Sequence, residues 1–136
     1  MFIEFDNYLK SDFSEDYWSD EGIGFAEEKL HGFSSEDWIA IDENCTSRDS
    51  IWLVRCANAL GEVHDSKSLN LLAKLLLIDD IEVTIAALDS INSLLSMGVS
   101  DEDTNLYLAQ KIHKIESSSP IVNMMLGSLR GKLEKA

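Results

Sequence analysis

Proline occurs once and cysteine twice in these 136 residues, and no stretch reaches the roughly 18 consecutive apolar residues that a membrane-spanning helix needs. A single Pro leaves long helices uninterrupted, and two Cys are too few for a disulfide framework. Cys45 and Cys56 sit in apolar settings and read as buried thiols of a reducing compartment. Basic residues are also scarce: 11 Lys and Arg face 25 Asp and Glu, for a net charge of −14. Such a surface repels phosphate, which excludes the counterion-displacing binding that duplex nucleic acid requires. Neither a basic segment followed by an apolar run nor a small-residue cleavage site opens the chain, so no secretory signal is expected and a cytoplasmic location follows.

Catalytic groupings are missing as well. His31, His64 and His113 have no metal-ligand spacing to one another or to the two Cys, and they read as surface or helix-end residues. Cys56 falls on an apolar stripe with Leu53 and Leu60, a packing position for a thiol. Gly22 and Gly24 lack the strand-turn-helix frame of a phosphate loop. No catalytic, cofactor or metal site is expected, and the chain reads as a non-enzyme.

What the chain does have is 45% hydrophobic residues in helical periodicity. Residues 52–61 recur 31 positions on as residues 83–92, in chemical pattern and not in letter: Cys56 and Ala87 are small, Ala59 and Ser90 small, Leu60 and Ile91 large, and Gly61 and Asn92 mark a break that tolerates unusual backbone angles. A looser third copy carries Ile121, Met124, Met125, Leu129 and Leu133, with Ile91 matching Leu129. Asp49 or Ser50, Asp65, Ser100, and Ser119 with Pro120 are placed to cap helices, Asp79-Asp80 makes a tight turn, and Gly61 and Gly98 end helices. Residues 81–97 are apolar almost all round and are expected to form the central core helix.

Ahead of the repeat, Phe2, Phe5 and Leu9 fit one face of a short helix, residues 10–19 read as an acidic and aromatic connector, Ile23, Ala26 and Leu30 mark a second helix, and Ser34 with Asp37 caps a third carrying Trp38, Ile41 and Cys45. This part is the more acidic: residues 1–49 hold 14 acids and 3 bases, whereas residues 50–136 hold 11 and 8. The expectation is a single domain over 1–136, with acidic N-terminal helices in 1–48 and repeats in 49–136.

Gly61 to Asp65, the Leu-rich segment after it, Asp79-Asp80-Ile81-Glu82-Val83 and Ala86-Ala87-Leu88 resemble HEAT repeats of the short, lyase-type kind. The chain departs from that pattern at Thr84, where an Arg commonly follows the Val. The resemblance implies an all-α fold, a right-handed α-α superhelix of HEAT-like helix pairs, which presents surfaces to partners. Size, charge and the positions of Trp18, Trp38 and Trp52 are also similar to those of immunity proteins of bacterial polymorphic-toxin and contact-dependent inhibition systems. That resemblance implies a cytosolic protein neutralising a toxin domain, often a basic nuclease. A HEAT-like scaffold or assembly subunit and a chromophore-lyase-like accessory protein are the other expectations. The partner-binding residues expected from the sequence are Asp12, Glu15, Asp16, Tyr17, Trp18, Asp20 and Glu21, carboxylates interleaved with aromatics that suit a basic, partly apolar protein surface. Neither nucleic acid nor membrane is expected as a partner.

Overall fold

A Ser or Asp side chain accepts a backbone N–H at the start of most of the helices, as the sequence leads one to expect. Ser34 takes the Asp37 amide at 3.2 Å while Asp37 takes the Ser34 amide at 3.0 Å, a reciprocal capping box. Asp49, Asp65 and Asp80 accept the amides of Trp52, Lys67 and Glu82 at 2.9, 2.8 and 3.0 Å. Each such cap is worth about 1 kcal/mol. The cap expected at Ser100 lies one residue later: extended backbone at Asp101 aims its carboxylate at the Thr104 amide, 3.0 Å away, and Ser100 instead accepts from the Asn105 side chain.

The computed structural model describes residues 1–115 and 117–135, and among them every regular element is helical. In chain order these are α1 (Phe2–Leu9), α2 (Glu15–Tyr17), α3 (Ile23–His31), α4 (Ser35–Asn44), α5 (Ser50–Leu60), α6 (Ser66–Leu75), α7 (Ile81–Ser96), α8 (Glu102–Lys111) and α9 (Pro120–Lys135). A π turn (Trp18–Gly22) joins α2 to α3 without a break in helical backbone. The connector expected over 10–19 is therefore shorter, because Ser14 caps a helix inside it by accepting the Tyr17 amide at 3.1 Å. No described helix is long and apolar enough to cross a membrane.

Helices α3, α5, α7 and α9 pack in series, α6 packs against α5 and α7, and α8 packs against α6 and α9. Helix α1 closes the N-terminal end against α3, α4 and α5. One cluster of buried side chains runs from Phe2 to Leu129 through all of these elements. Helix α7 is its middle: Val83, Ala87, Leu88, Ile91 and Leu94 are fully buried, as the all-round apolar segment implies.

Two expectations about packing change. Helix α9 buries Val122, Leu126 and Leu129, spaced i, i+4, i+7, and leaves Ile121 and Met124 exposed, so the inward face is rotated from the one the third repeat copy suggested. Gly61, at the end of α5, keeps ordinary right-handed helical angles, and Asn92 stays inside α7. The reason for Gly61 is steric rather than conformational. A Cβ there would stand 2.5 Å from the Ser90 hydroxyl oxygen of α7. Gly98 does have positive φ, +84°, after the end of α7.

Candidate functional site

The segment that carries the expected partner-binding residues is pinned from below by one guanidinium. Arg55 of α5 donates from Nη1 to the Leu9 and Ser11 carbonyls at 2.9 and 2.7 Å and from Nη2 to the Phe13 carbonyl at 3.3 Å. Its Cζ also lies 5.2 Å from the Phe13 ring centroid and 5.6 Å from that of Trp18. The last carbonyls of α1 and the turn after it, left without intrahelical donors, thus receive a charged donor at the negative end of the helix.

Aromatic side chains then fasten the segment from inside. Phe13 sits 4.8 Å from Tyr8 and 4.7 Å from Tyr17, ring centre to ring centre, and stacks at 14° on Trp18. The Tyr8 and Tyr17 hydroxyls share a 3.0 Å hydrogen bond. Burial, that bond and the charges of Tyr17 and Glu21 push the Tyr8 phenol far above its ordinary value. Trp18 is 7% exposed, and its indole N–H donates to Asn58 Oδ1 of α5 at 3.0 Å. The π turn brings the Trp18 ring so close over Gly22 that a Cβ there would be 2.5 Å from the ring.

This geometry divides the seven expected residues. Asp12, Glu15, Asp16, Asp20 and Glu21 are exposed, while Tyr17 is half-buried and Trp18 buried. Trp18 is corrected as a partner anchor: its ring and its N–H are both spent on the fold, so it belongs to the core. In its place the structure exposes Phe25, 49% accessible, on the outer side of α3 beside Glu21 and Glu28. Residues 21, 25 and 28 share a face by i, i+4, i+7 spacing, a signal present in the sequence but masked by the inward stripe Ile23, Ala26, Leu30. Phe25, Glu21, Gly24, Glu27 and Glu28 line one shallow open depression.

Local cations do not neutralise this face. Lys10 pairs with Asp6 at 3.2 Å, and Lys29 lies 5.2 Å from the Tyr8 ring centroid. The remaining base before residue 50, Arg48, grips Asp6 through Nε at 2.9 Å and Nη2 at 2.8 Å. Burial would raise the Asp6 carboxyl, but hydrogen bonds from Arg48 and Lys10, with their charges, hold it below the usual range.

Elsewhere the acids have structural work. Backbone amides of Ser34 and Phe2 hold Asp37 below its ordinary value, and the Ser50 side chain with the Val83 and Glu82 amides does the same for Asp80. Cys45 and Cys56 are free and buried, and burial raises both thiols away from the nucleophilic thiolate. His31 lies 3.7 Å from Glu27 at the end of α3, and all three His are exposed. No group of three or more His, Cys, Asp or Glu side chains able to hold a metal ion occurs among the described residues.

The arrangement can offer a fixed acidic surface with an aromatic ring in it, set on helices rather than on a loose connector. No family model, no curated protein and no solved structure matches the chain.

Proposed function

We propose that this chain is a non-enzymatic, acidic binding protein that neutralises a basic protein partner in the cytoplasm, in the manner of an immunity protein covering the cleft of a cognate toxin nuclease. We read its helices as a right-handed superhelix of HEAT-like pairs with the binding surface on the N-terminal helices. The observation that carries the reading is the set of exposed carboxylates Asp12, Glu15, Asp16, Asp20, Glu21 and Glu28, of which Glu21 and Glu28 line a depression with Phe25, while Lys10, Arg48 and Lys29 are already engaged with Asp6 or Tyr8. Carboxylates on a rigid support attract a basic partner at long range and speed its docking, and a half-exposed ring supplies the desolvated anchor that charge alone does not.

The test is to recover the partner from cells that make this protein and to measure association with the purified pair. Reversing Asp12, Glu15, Asp16, Asp20 and Glu21 to Lys should slow association about tenfold or more at low ionic strength and much less where the screening length is short. Phe25→Ala should mainly raise the dissociation rate. For a nuclease partner, one equivalent of this chain should abolish cleavage. An acidic partner, or unchanged kinetics in both variants, overturns the assignment of this face.

A further inference from the structure

Phe25 is an aromatic side chain that the fold supports without covering. Its ring meets the Tyr8 ring edge-on at 6.4 Å, and Tyr8 is itself fastened by Phe13 and by the Tyr17 hydroxyl, yet Phe25 stays 49% exposed. Gly24 beside it weakens α3, and nothing within the chain requires a glycine there: its φ is not positive, and no atom lies within 4 Å of the place a Cβ would take. The missing side chain leaves room in a shallow depression of about 330 Å³, lined besides these two residues by Glu21, Glu27 and Glu28. The charge in it is unspent. Among the described residues the Glu21 and Glu28 carboxylates make no hydrogen bond or ion pair, Glu27 meets only His31, at 3.7 Å, and no Lys or Arg lines the space. Neighbouring rings already hold cations of the chain itself, Lys29 at 5.2 Å from the Tyr8 centroid and Arg55 at 5.2 Å from that of Phe13, and Phe25 holds none among the described residues.

We propose that the depression at Phe25 seats one arginine side chain of the partner, with the guanidinium laid against the ring and its N–H groups directed to the Glu21 and Glu28 carboxylates. A guanidinium is planar and weakly hydrated, so it can stack on an aromatic ring and donate from its edge at the same time. Its fork also matches a carboxylate in a way that a single ammonium does not. An aliphatic side chain in the same place would strip water from the carboxylates and give them no donor, which selects against it. The inference rests on the reading of the α2 and α3 face as the partner surface and adds the group that enters it.

Titration of the full chain at low ionic strength with acetyl-Gly-Arg-Gly-amide and its lysine and citrulline counterparts tests this. NMR shifts at Gly24, Phe25 and Glu28 should saturate with the arginine peptide, respond more weakly to the lysine peptide and ignore the uncharged citrulline peptide. Phe25→Leu keeps an apolar side chain and removes the π face, so it should weaken arginine binding about two- to fivefold, the share of a cation–π contact at an exposed ring. Gly24→Gln fills the depression without changing its charge and should abolish the response. Both positions are exposed, so the melting temperature should change little in either variant. Equal binding of the lysine or citrulline peptide, an unaltered response in Phe25→Leu or Gly24→Gln, or no binding overturns the proposal. Shifts spread over residues 12–21 that bypass Phe25 overturn it too and leave the acidic-face reading intact. An acidic partner recovered from cells would sink that reading and this inference with it, whereas failure of the peptide experiment sinks this inference alone.

Discussion

Ser90 of α7 occupies the space that Gly61 leaves open on α5. Its hydroxyl donates a 2.7 Å hydrogen bond to the Ala57 carbonyl one turn before Gly61, and a Cβ on Gly61 would meet the Ser90 oxygen at 2.5 Å and its Cβ at 2.7 Å. Small residues at both positions let α5 and α7 approach closely and let a buried hydroxyl find an acceptor. Gly61→Ala should therefore cost about 1–3 kcal/mol by overpacking. Gly24→Ala, exposed in α3 with nothing within 4 Å of the added carbon, should be neutral or stabilising by up to about 1 kcal/mol. Urea unfolding of the two variants checks the contrast, and equal effects would refute the close-approach account.

Trp18→Ala should lower stability by about 3–5 kcal/mol, since it removes a buried ring and strands Asn58 Oδ1. Trp18→Phe should keep the packing against Phe13 and lose only the indole hydrogen bond, costing about 1 kcal/mol. Thermal melting monitored by circular dichroism separates the two, and a near-silent Trp18→Ala would return that side chain to the surface.

Leu88 is wholly buried in α7, where Leu88→Ala should destabilise by about 2–5 kcal/mol depending on how far the cavity collapses. A loss under about half a kcal/mol would contradict the central position of that helix.

Asp6→Asn should cost about 2 kcal/mol, because the Arg48 guanidinium keeps its partly buried place and loses a bidentate charged acceptor. Arg48→Lys should also destabilise although it keeps the charge, since an ammonium has no fork to match the carboxylate. Denaturation midpoints at neutral pH measure both.

Stability should fall in acid. Asp6, Asp37, Asp80 and Asp101 titrate below their ordinary values when folded, so the unfolded chain takes up protons first as pH falls. Their contribution is complete above the unfolded carboxylate value near 4 and is lost as pH drops through the folded values. The melting temperature should hold between about pH 7 and 5, where mutual repulsion in a chain of net charge −14 changes little, and then decline below about pH 4. In Asp6→Asn the acid decline should be shallower, and an identical slope would remove Asp6 from the account.

Most of the helical framework was legible in the chain itself. The capping side chains Ser34, Asp49 and Asp65, the i, i+3, i+4 stripes and the all-round apolar segment at 81–97 act within a few residues of sequence, so local rules suffice to read them; the turn read at Asp79-Asp80 also holds the cap of α7. The α9 face was misread because Ile121 and Met124 are as apolar as Val122 and Leu126, and only contact with α7 decides which row turns inward. The exposed carboxylates of the candidate site could be named from the sequence, because an acid-rich stretch is local, whereas the grip of Arg48 on Asp6, 42 residues apart, is made only by the folded chain.

The sequence by itself determined an all-helical chain with an acid-rich beginning, because helix signals and net charge are sums over neighbours along the chain. The tertiary structure alone decided that Trp18 is core while Phe25 is surface. The partners that fix Trp18, Asn58 and Arg55, lie some 40 residues away, and it is their approach that turns one ring inward and leaves the other to solvent.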